Sequence, residues 1–319
     1  MTNFYMLVGL PGSGKSTIAK KMIEKNPNIK VFSSDSLRKE LWGDENKQGD
    51  NSKLFNELHT RIKDCLSLGN DCIYDATNIS AKRRTAFLNN IKSIKNVNKV
   101  CIFALTSIEK CYKNNKKRER QVPEDVIKNM YLRFDIPQYR EGWDKIIIKR
   151  QFDRVRDYLK DMDKYRKIPH DNPHHLLSIG DHMCACTNYL VKKYQTLLNI
   201  DTLEIIQMAT FFHDIGKPFT KTFFDSKGNP SEVAHYYGHE HVSAYMYLFT
   251  CKASCLKDDY NLNKELLVAD LIALHMRMFD IKKQKNLNNN NPEDKLIKLI
   301  GRGEYIMLEI LNEADMACS

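Results

Sequence analysis

The chain has 319 residues, of which 42% are apolar and 28% are charged, and its formal net charge is +10. This length fits about two domains, and the composition is that of a folded globular protein. The chain has no run of about 18 apolar residues, the length needed to span a membrane. The N-terminal apolar stretch is too short for a signal peptide. Nine cysteines without a C-x-x-C pair or a secretion signal predict reduced thiols and a cytoplasmic protein.

The basic residues are concentrated in the first half of the chain. Residues 1–150 carry 29 Lys and Arg against 17 Asp and Glu, a net charge of +12, whereas residues 151–319 carry 21 against 23, a net charge of −2. Nine of the ten histidines lie after residue 169. This change in composition predicts two domains with separate tasks. The basic half suits either a polyanionic partner such as nucleic acid or an ordinary solvated surface rich in lysine.

Short apolar runs alternate with helical patterns in the first half. The predicted strands are residues 4–10, 30–34, 71–75, 99–106 and 145–149, and the helices between them include residues 16–25, 51–68 and 123–134. This alternation predicts an α/β domain with a parallel sheet flanked by helices.

The second half shows helical patterns, as at residues 205–213 and 262–279, and no convincing strand. We therefore predict an α/β domain at residues 1–152, a linker or connecting helix at 153–168, and an all-α domain at 169–319. The charged stretch around the boundary is typical of a domain connection.

A glycine-rich segment follows the first predicted strand. Residues 9–17 read G-L-P-G-S-G-K-S-T and fit the phosphate-binding pattern G-x-x-x-x-G-K-[ST] at the start of a helix. Glycines let backbone N–H groups approach phosphates, and the helix N-terminus favours anions. In such a loop Lys15 reaches the β- and γ-phosphates, and the Ser16 hydroxyl holds Mg²⁺. We expect ATP or another nucleoside triphosphate to bind at Gly9, Gly12, Ser13, Gly14, Lys15, Ser16 and Thr17.

Two further segments supply groups suited to phosphoryl transfer. Asp35 follows the second predicted strand, where it could accept the proton of an attacking hydroxyl or, equally on spacing, cap the next helix. Arg38, one turn later, could hold an acceptor phosphate. Residues 110–120 contain six basic residues and one acid, which fits either a basic lid over a triphosphate or a solvated helix face.

Together these segments resemble the kinase domain of 5′-hydroxyl polynucleotide kinases, which heal RNA and DNA ends. The matching pieces are residues 9–17, Ser34-Asp35 with Arg38, residues 75–78 with Arg84, Arg118 ahead of Val122-Pro123, and residues 141–144. The resemblance implies that Asp35 is the general base for the 5′-hydroxyl and that Arg38 contacts the acceptor strand. It also implies a lid arginine, Arg118, on the donor phosphates. Some members carry an Arg-Asn pair where this chain reads Asn114-Asn115, so Arg120 or Lys117 is a second lid candidate.

The second half contains an adjacent His213-Asp214 pair at the end of an apolar helical pattern. Such a pair can place an imidazole and a carboxylate on one metal ion. Further candidate ligands are His182 upstream and His239, His275 and Asp315 downstream. A mixed set of nitrogen and oxygen ligands suits Mn, Fe, Co, Ni or Zn, and residue types alone do not select among them.

This series resembles the HD superfamily of metal-dependent phosphohydrolases over about residues 170–319. The matching pieces are His182, His213-Asp214 with residues 216–218, residues 237–240, His275, and residues 314–317. The resemblance implies a helical domain with a core metal site of His182, His213, Asp214 and Asp315, where the metal activates water. It implies that Lys217 steadies a substrate phosphate, and that His239 and His275 bind phosphate or help to hold a second ion. Four histidines match less clearly and are expected at the surface or in structural positions: His170, His174, His175 and His235. His241 remains undecided.

A kinase joined to an HD domain resembles bifunctional RNA-repair proteins, although the kinase comes first here. The resemblance implies phosphorylation of a 5′-hydroxyl and removal of a cyclic, 2′- or 3′-phosphate from the other end, so that a ligase partner can seal RNA, or DNA, ends. One alternative is a small-molecule, nucleoside-type kinase fused to an HD nucleotide phosphohydrolase. Another is a nucleotide sensor without catalysis.

Overall fold

The computed structural model describes residues 1–44, 49–151, 158–173, 176–250, 259–285 and 291–319. Contacts divide the chain into two compact units, the first formed by Met1–Tyr131 with Pro137–Asp153 and the second by Leu132–Ile136 with Arg154–Ser319. The expected connecting segment at 153–168 lies partly outside the described residues, which resume with a helix at Tyr158–Tyr165.

The first unit is built on a five-stranded sheet with the order β2-β3-β1-β4-β5, in which all neighbours are parallel. Its elements are β1 Thr2–Val8, α1 Lys15–Lys25, β2 Lys30–Ser33, α2 Ser34–Trp42, α3 Asn51–Ser67, β3 Cys72–Asp75, α4 Ala81–Asn90, β4 Val97–Thr106, α5 Ile108–Asn115, α6 Glu124–Tyr131, a 3₁₀ turn at Tyr139–Glu141, and β5 Lys145–Gln151. The predicted α/β class is confirmed, with element ends displaced by a few residues.

The sheet register determines which loops meet. Leu7 of β1 pairs with Asp75 of β3, and Asp75 pairs in turn with Ser33 of β2. Because the strands are parallel, the loops that follow β1, β2 and β3 open at the same edge. The central strands are largely apolar and buried, as in β4, where residues 100–105 are at most 3% exposed, whereas the edge strands β2 and β5 are more exposed. This edge of a buried sheet therefore presents the polar residues that follow each strand.

The second unit is helical, as predicted. Its helices are α7 Tyr158–Tyr165, α8 Ile179–Tyr194, α9 Ile200–Phe212, α10 Lys217–Thr220, α11 His239–Thr250, α12 Asp259–Leu274, α13 Arg277–Lys285, α14 Pro292–Ile300 and α15 Arg302–Ala317. The apolar helix α9 contacts α8, α11, α12 and α15, and it forms the centre of the core.

Two details of this unit were not predicted. A short antiparallel hairpin of β6 Thr222–Phe224 and β7 Pro230–His235 follows α10. The helix predicted at 262–279 is two helices that break at His275 and Met276. Among the described helices none is long and apolar enough to cross a membrane. The described cysteines are all free thiols.

Candidate functional site

The glycine-rich loop joins β1 to α1 in a conformation that only glycine adopts readily. Gly12 and Gly14 have φ values of 78° and 88°, and a Cβ atom on Gly12 would lie 2.3 Å from the carbonyl oxygen of Cys111. Lys15, 8% exposed, donates from Nζ to the carbonyls of Gly9 and Leu10, both at 2.9 Å. Burial lowers the pKa of Lys15, and neighbouring acids oppose that shift. The lysine is therefore held inside the loop, where phosphate oxygens can replace the carbonyls.

The predicted loop residues divide into two groups. Gly12, Gly14, Lys15, Ser16 and Thr17 line a cleft of about 1130 Å³. Gly9 and Ser13 are buried beneath it and do not line it. These two residues shape the loop, whereas the other five face the space in which a nucleotide would bind.

Asp75, at the end of β3, accepts a hydrogen bond from the Ser16 hydroxyl at 3.1 Å. Burial raises the pKa of Asp75, and the Lys15 ammonium opposes that shift. A hydroxyl and a carboxylate side by side offer the hard oxygen ligands that Mg²⁺ prefers. Asp75 had no predicted role of its own, although its position at the end of a strand was a usable signal.

Asp35 does not cap helix α2. The cap is Ser33, whose hydroxyl accepts hydrogen bonds from the backbone N–H groups of Asp35 and Ser36 at 3.3 and 3.4 Å. The capping alternative for Asp35 is therefore wrong, and its carboxylate is available to other groups. That carboxylate lines the same cleft as Lys15 and Ser16.

Three arginines converge on Asp35. Arg38 Nη1 lies 3.2 Å from Oδ1, Arg118 Nη2 lies 3.8 Å from Oδ2, and Arg120 Nη1 donates to Oδ1. Burial lowers the pKa of Arg38, and Asp35 opposes that shift. The residues predicted for the acceptor strand and for the lid thus meet at the candidate base. Their guanidinium groups form a concentrated positive field beside the loop that would hold the donor phosphates.

Asn114 and Asn115 hold the segment that carries the lid arginines. Asn114 Nδ2 donates to the Gly12 carbonyl at 2.9 Å. Asn115 is buried and bonds both backbone groups of Val122, at 2.8 and 3.0 Å. The two asparagines therefore close the turn that presents Arg118 and Arg120, and the arginines supply the charge.

Arg84, one of the residues that resemble the polynucleotide kinase pattern, forms a buried ion pair. Its Nε and Nη2 atoms donate to the two oxygens of Glu141, each at 2.7 Å, and its Nη1 donates to the Asn78 carbonyl at 2.8 Å. The two side chains are 0% and 5% exposed. Arg84 therefore anchors the segment after β3 that flanks the glycine-rich loop.

In the second unit, four predicted ligands come together from helices α8 and α15 and from the segment directly after α9. His182 Nε2 lies 3.1 Å from Asp315 Oδ1 and 3.6 Å from Asp214 Oδ2, and His213 Nε2 lies 3.3 Å from Asp214 Oδ2 and 3.7 Å from Asp315 Oδ1. All four are at most 5% exposed. The ligand atoms of His182, His213 and Asp315 lie within 4.8 Å of one another, and those of Asp214, His239 and His275 form a second group of the same size.

Main-chain carbonyls orient three of the histidines. The Nδ1 atoms of His213, His239 and His275 each lie 2.7 Å from a backbone carbonyl three residues earlier, which directs the proton to Nδ1 and leaves Nε2 as the ligand atom. His213 Nε2 makes no well-aligned hydrogen bond although it is buried. A buried imidazole nitrogen facing two carboxylates in this way fits a metal ligand.

Burial and neighbouring charges shift the pKa values of the residues in this cluster. Burial opposes the charged form of His213, but Asp214 and Asp315 raise its pKa to about 10, so a metal ion that binds Nε2 would have to displace a proton from it. Burial lowers the pKa of His275 to about 3, helped by the neighbouring histidines, so this ring stays neutral as a ligand must. Burial likewise opposes the charge on Asp214, yet His213 and Lys217 hold its pKa well below the usual range. The cluster thus keeps anionic ligands in a buried pocket.

Lys217 and His170 lie at the edge of this cluster. Lys217 Nζ is 2.6 Å from Asp214 Oδ2 and 3.2 Å from His170 Nε2. His170 is 1% exposed, and its Nδ1 lies 2.8 Å from the Leu177 carbonyl. Of the two expectations for His170, the surface position is therefore wrong, and the buried residue lies against the predicted phosphate-binding lysine. No spacing pattern signalled it, because an isolated bridge between Pro169 and Ser178 brings this segment back to the start of α8.

The other described histidines of this unit stay outside the two ligand groups. His235 lies on the hairpin, 3.0 Å from the Ser231 hydroxyl and stacked on Tyr237. His241 lies beside Glu240. His174 and His175 fall outside the described residues.

Comparisons with known proteins agree with this division. Residues 4–137 match the family described as an AAA domain, and residues 179–303 match the HD domain. The chain therefore combines an N-terminal P-loop domain of the kinase type with a C-terminal HD domain.

Similar proteins cover different shares of the chain. The L-seryl-tRNA(Sec) kinase of Methanococcus maripaludis is 32% identical over 145 residues, which are 44% of this chain and 55% of that protein. The chain thus spans about half the length of this curated relative. Among solved structures, the Pnkp1/Rnl/Hen1 RNA repair complex matches at 20% identity with a TM-score of 0.37, over 40% of this chain and 42% of that one. A fungal RNA kinase matches at 14% identity with a TM-score of 0.35, over 66% of this chain and 96% of that one.

Proposed function

We propose that this protein heals both ends of a broken RNA. The first unit transfers the γ-phosphate of ATP to a 5′-hydroxyl, and the second removes the cyclic, 2′- or 3′-phosphate from the opposite end. The observation that carries the proposal is the meeting of Asp35 with Arg38, Arg118 and Arg120 in the cleft lined by Lys15. A base candidate, anion-binding groups and a phosphate loop in one cleft are the parts that transfer to a hydroxyl requires.

In the kinase reaction Asp35 accepts the proton of the 5′-hydroxyl as that oxygen attacks the γ-phosphorus. Lys15 and the lid arginines stabilise the negative charge on the transferring group and on the departing diphosphate. The Ser16 hydroxyl, which is hydrogen-bonded to Asp75, would hold Mg²⁺. When bound, the ion neutralises part of the phosphate charge. Arg38 orients the acceptor strand through its phosphate.

In the second unit, His182, His213, Asp214 and Asp315 would hold a transition metal, and His239 and His275 would complete a second position with Asp214. The metal supplies an activated water when bound. Lys217 binds the terminal phosphate of the substrate and holds it beside the ligand cluster. His170 keeps the Lys217 ammonium in place, with its Nε2 atom 3.2 Å from Nζ.

The charge distribution supports a nucleic-acid substrate for the kinase. The basic half carries a net charge of +12, which suits a phosphate backbone. The kinase reaction would leave a 5′-phosphate, and the hydrolase reaction would leave a free hydroxyl at the other end. An RNA ligase partner joins ends of these two kinds.

A second candidate is a kinase for the hydroxyl of a small group, free or carried on tRNA. The 32% identity to a protein named L-seryl-tRNA(Sec) kinase favours it. In this case the HD domain would act on a nucleotide rather than on an RNA end.

One RNA tests both halves of the proposal. We would incubate a short RNA that has a 5′-hydroxyl and a 2′,3′-cyclic phosphate with labelled ATP, Mg²⁺ and Mn²⁺, and would resolve both ends by gel and mass. We expect a 5′-phosphate to appear and the terminal phosphate to disappear. DNA of the same sequence, a mononucleoside and seryl-tRNA serve as competing acceptors. Transfer to the mononucleoside or to seryl-tRNA, without transfer to the RNA end, would select the second candidate.

A further inference from the structure

The cleft of the first unit has a second, aromatic end that phosphate chemistry does not use. Besides the phosphate loop and Asp35, it is lined by Phe55 and His59 of α3, Tyr74 of β3 and Phe87 of α4. We call these four residues the aromatic pocket. Tyr74 and Phe87 are buried, whereas Phe55 and His59 are partly exposed. Part of the aromatic surface is therefore open to the cleft.

His59 lies at the centre of this pocket. Its ring centroid is 4.5 Å from that of Phe87, 5.6 Å from that of Tyr74 and 6.2 Å from that of Phe55. One ring nitrogen lies 3.1 Å from the Tyr74 hydroxyl. Burial lowers the pKa of His59 to about 4, so the imidazole is neutral at physiological pH. The pocket thus offers flat, uncharged rings together with hydrogen-bonding atoms.

Topology places the aromatic pocket on the acceptor side of the cleft. Its residues come from β3 and from the helices before and after it, and β3 lies between β1 and β2. Asp35 follows β2 and lies on that same side of the phosphate loop. The lid segment follows β4, on the other side of β1. A group bound in the pocket is therefore attached to the hydroxyl that Asp35 activates and not to the donor nucleotide.

The chemistry of the pocket fits a nucleobase. Bases stack on aromatic rings without strong sequence preference. Further lining residues on α3 and α4 carry amide or guanidinium groups that suit a base edge or a phosphate: Asn56, Arg83 and Asn90. A serine side chain or another small aliphatic hydroxyl compound would leave these rings without contact.

We propose that the aromatic pocket binds the base of the 5′-terminal nucleoside and thereby makes the kinase select hydroxyls on base-bearing nucleotides. This inference rests on the proposed kinase function. It adds a specificity determinant, Phe55 with His59, to a site whose transfer chemistry depends on other residues.

The test compares two RNAs that differ only in the 5′-terminal residue, which carries either a normal base or an abasic ribose analogue. We expect wild-type protein to phosphorylate the abasic RNA with kcat/KM roughly 5- to 150-fold lower, the range for loss of one base stack. Equal rates on the two RNAs would overturn the pocket assignment and leave the kinase function standing. Transfer to neither RNA would overturn both.

Phe55→Leu removes the ring but keeps an apolar side chain, so the fold should survive. We expect this variant to lower kcat/KM for the normal RNA and to bring the ratio between the two RNAs close to one, with KM for ATP unchanged. Lys63→Ala, at an exposed position on the same helix, is the matched control and should keep the wild-type ratio. A raised KM for ATP in Phe55→Leu with an unchanged ratio would assign the pocket to the donor base and refute the proposal.

Discussion

The buried pair of Arg84 and Glu141 permits a quantitative test of what holds the first unit together. Glu141→Gln keeps the shape of the side chain and removes its charge. Four donor atoms converge on this carboxylate: Nε and Nη2 of Arg84, both at 2.7 Å, Trp143 Nε1 at 3.1 Å, and the backbone nitrogen of Gln138 at 3.0 Å. An amide has one acceptor oxygen, and its NH₂ group would face donors on the other side.

We expect the free energy of unfolding to fall by about 3–5 kcal/mol, the range for removing one partner of a buried ion pair. The individual contacts predict a loss in free energy of unfolding of similar magnitude. About two donors would lose their acceptor at roughly 1–3 kcal/mol each, and the guanidinium of Arg84, whose side chain is 0% exposed, would keep its charge without a counterion.

Urea unfolding followed by tryptophan fluorescence measures this unit selectively, because both tryptophans, Trp42 and Trp143, lie in it. The matched control is Glu40→Gln. Glu40 also accepts two hydrogen bonds from an arginine, Arg61 at 2.8 and 2.5 Å, but its side chain is 56% exposed. Solvent screens such a pair, so the control should unfold near the wild-type midpoint. If Glu141→Gln unfolds at the same urea concentration as Glu40→Gln, the pair is not the anchor described above.

The remaining predictions concern the two sites separately. Asp35→Asn should lower kcat for 5′-phosphorylation about 10²- to 10⁴-fold, because it removes the general base, while phosphate removal continues; loss of both activities in folded protein would contradict separate sites. Asp214→Ala should lower the bound transition metal in elemental analysis and abolish phosphate removal but not kinase activity; unchanged metal content would contradict the ligand assignment. His59 has an ordinary pKa of 6.5, lowered by burial to about 4 in the folded protein. The unfolded chain therefore takes up a proton first as the pH falls, and stability is lost from pH 6.5 towards pH 4. The melting temperature of His59→Asn should fall less steeply than wild type over this window, and equal slopes would show that His59 is not held neutral.

Local patterns in the sequence were sufficient for the fold class and for the phosphate loop. A β-strand, a glycine loop and a helix start are each determined by a few consecutive residues, and the spacing of residues 9–17 leaves little choice of conformation. The break between a basic α/β half and a histidine-rich helical half is likewise visible in composition. The helix break at His275 is not visible in the sequence, because apolar residues on both sides of it continue the helical pattern.

Contacts between distant residues decided the rest. Asp35 could cap α2 or face the cleft, and only the structure assigns the cap to Ser33. Arg120 meets Asp35 across 85 positions of sequence, which no local pattern encodes. His170 had no motif, yet the bridge between Pro169 and Ser178 places it against Lys217. The sequence by itself determined which chemical groups the chain carries and the local elements that present them. Tertiary packing decided which groups meet, because proximity depends on strand order and on loop closures that span tens of residues.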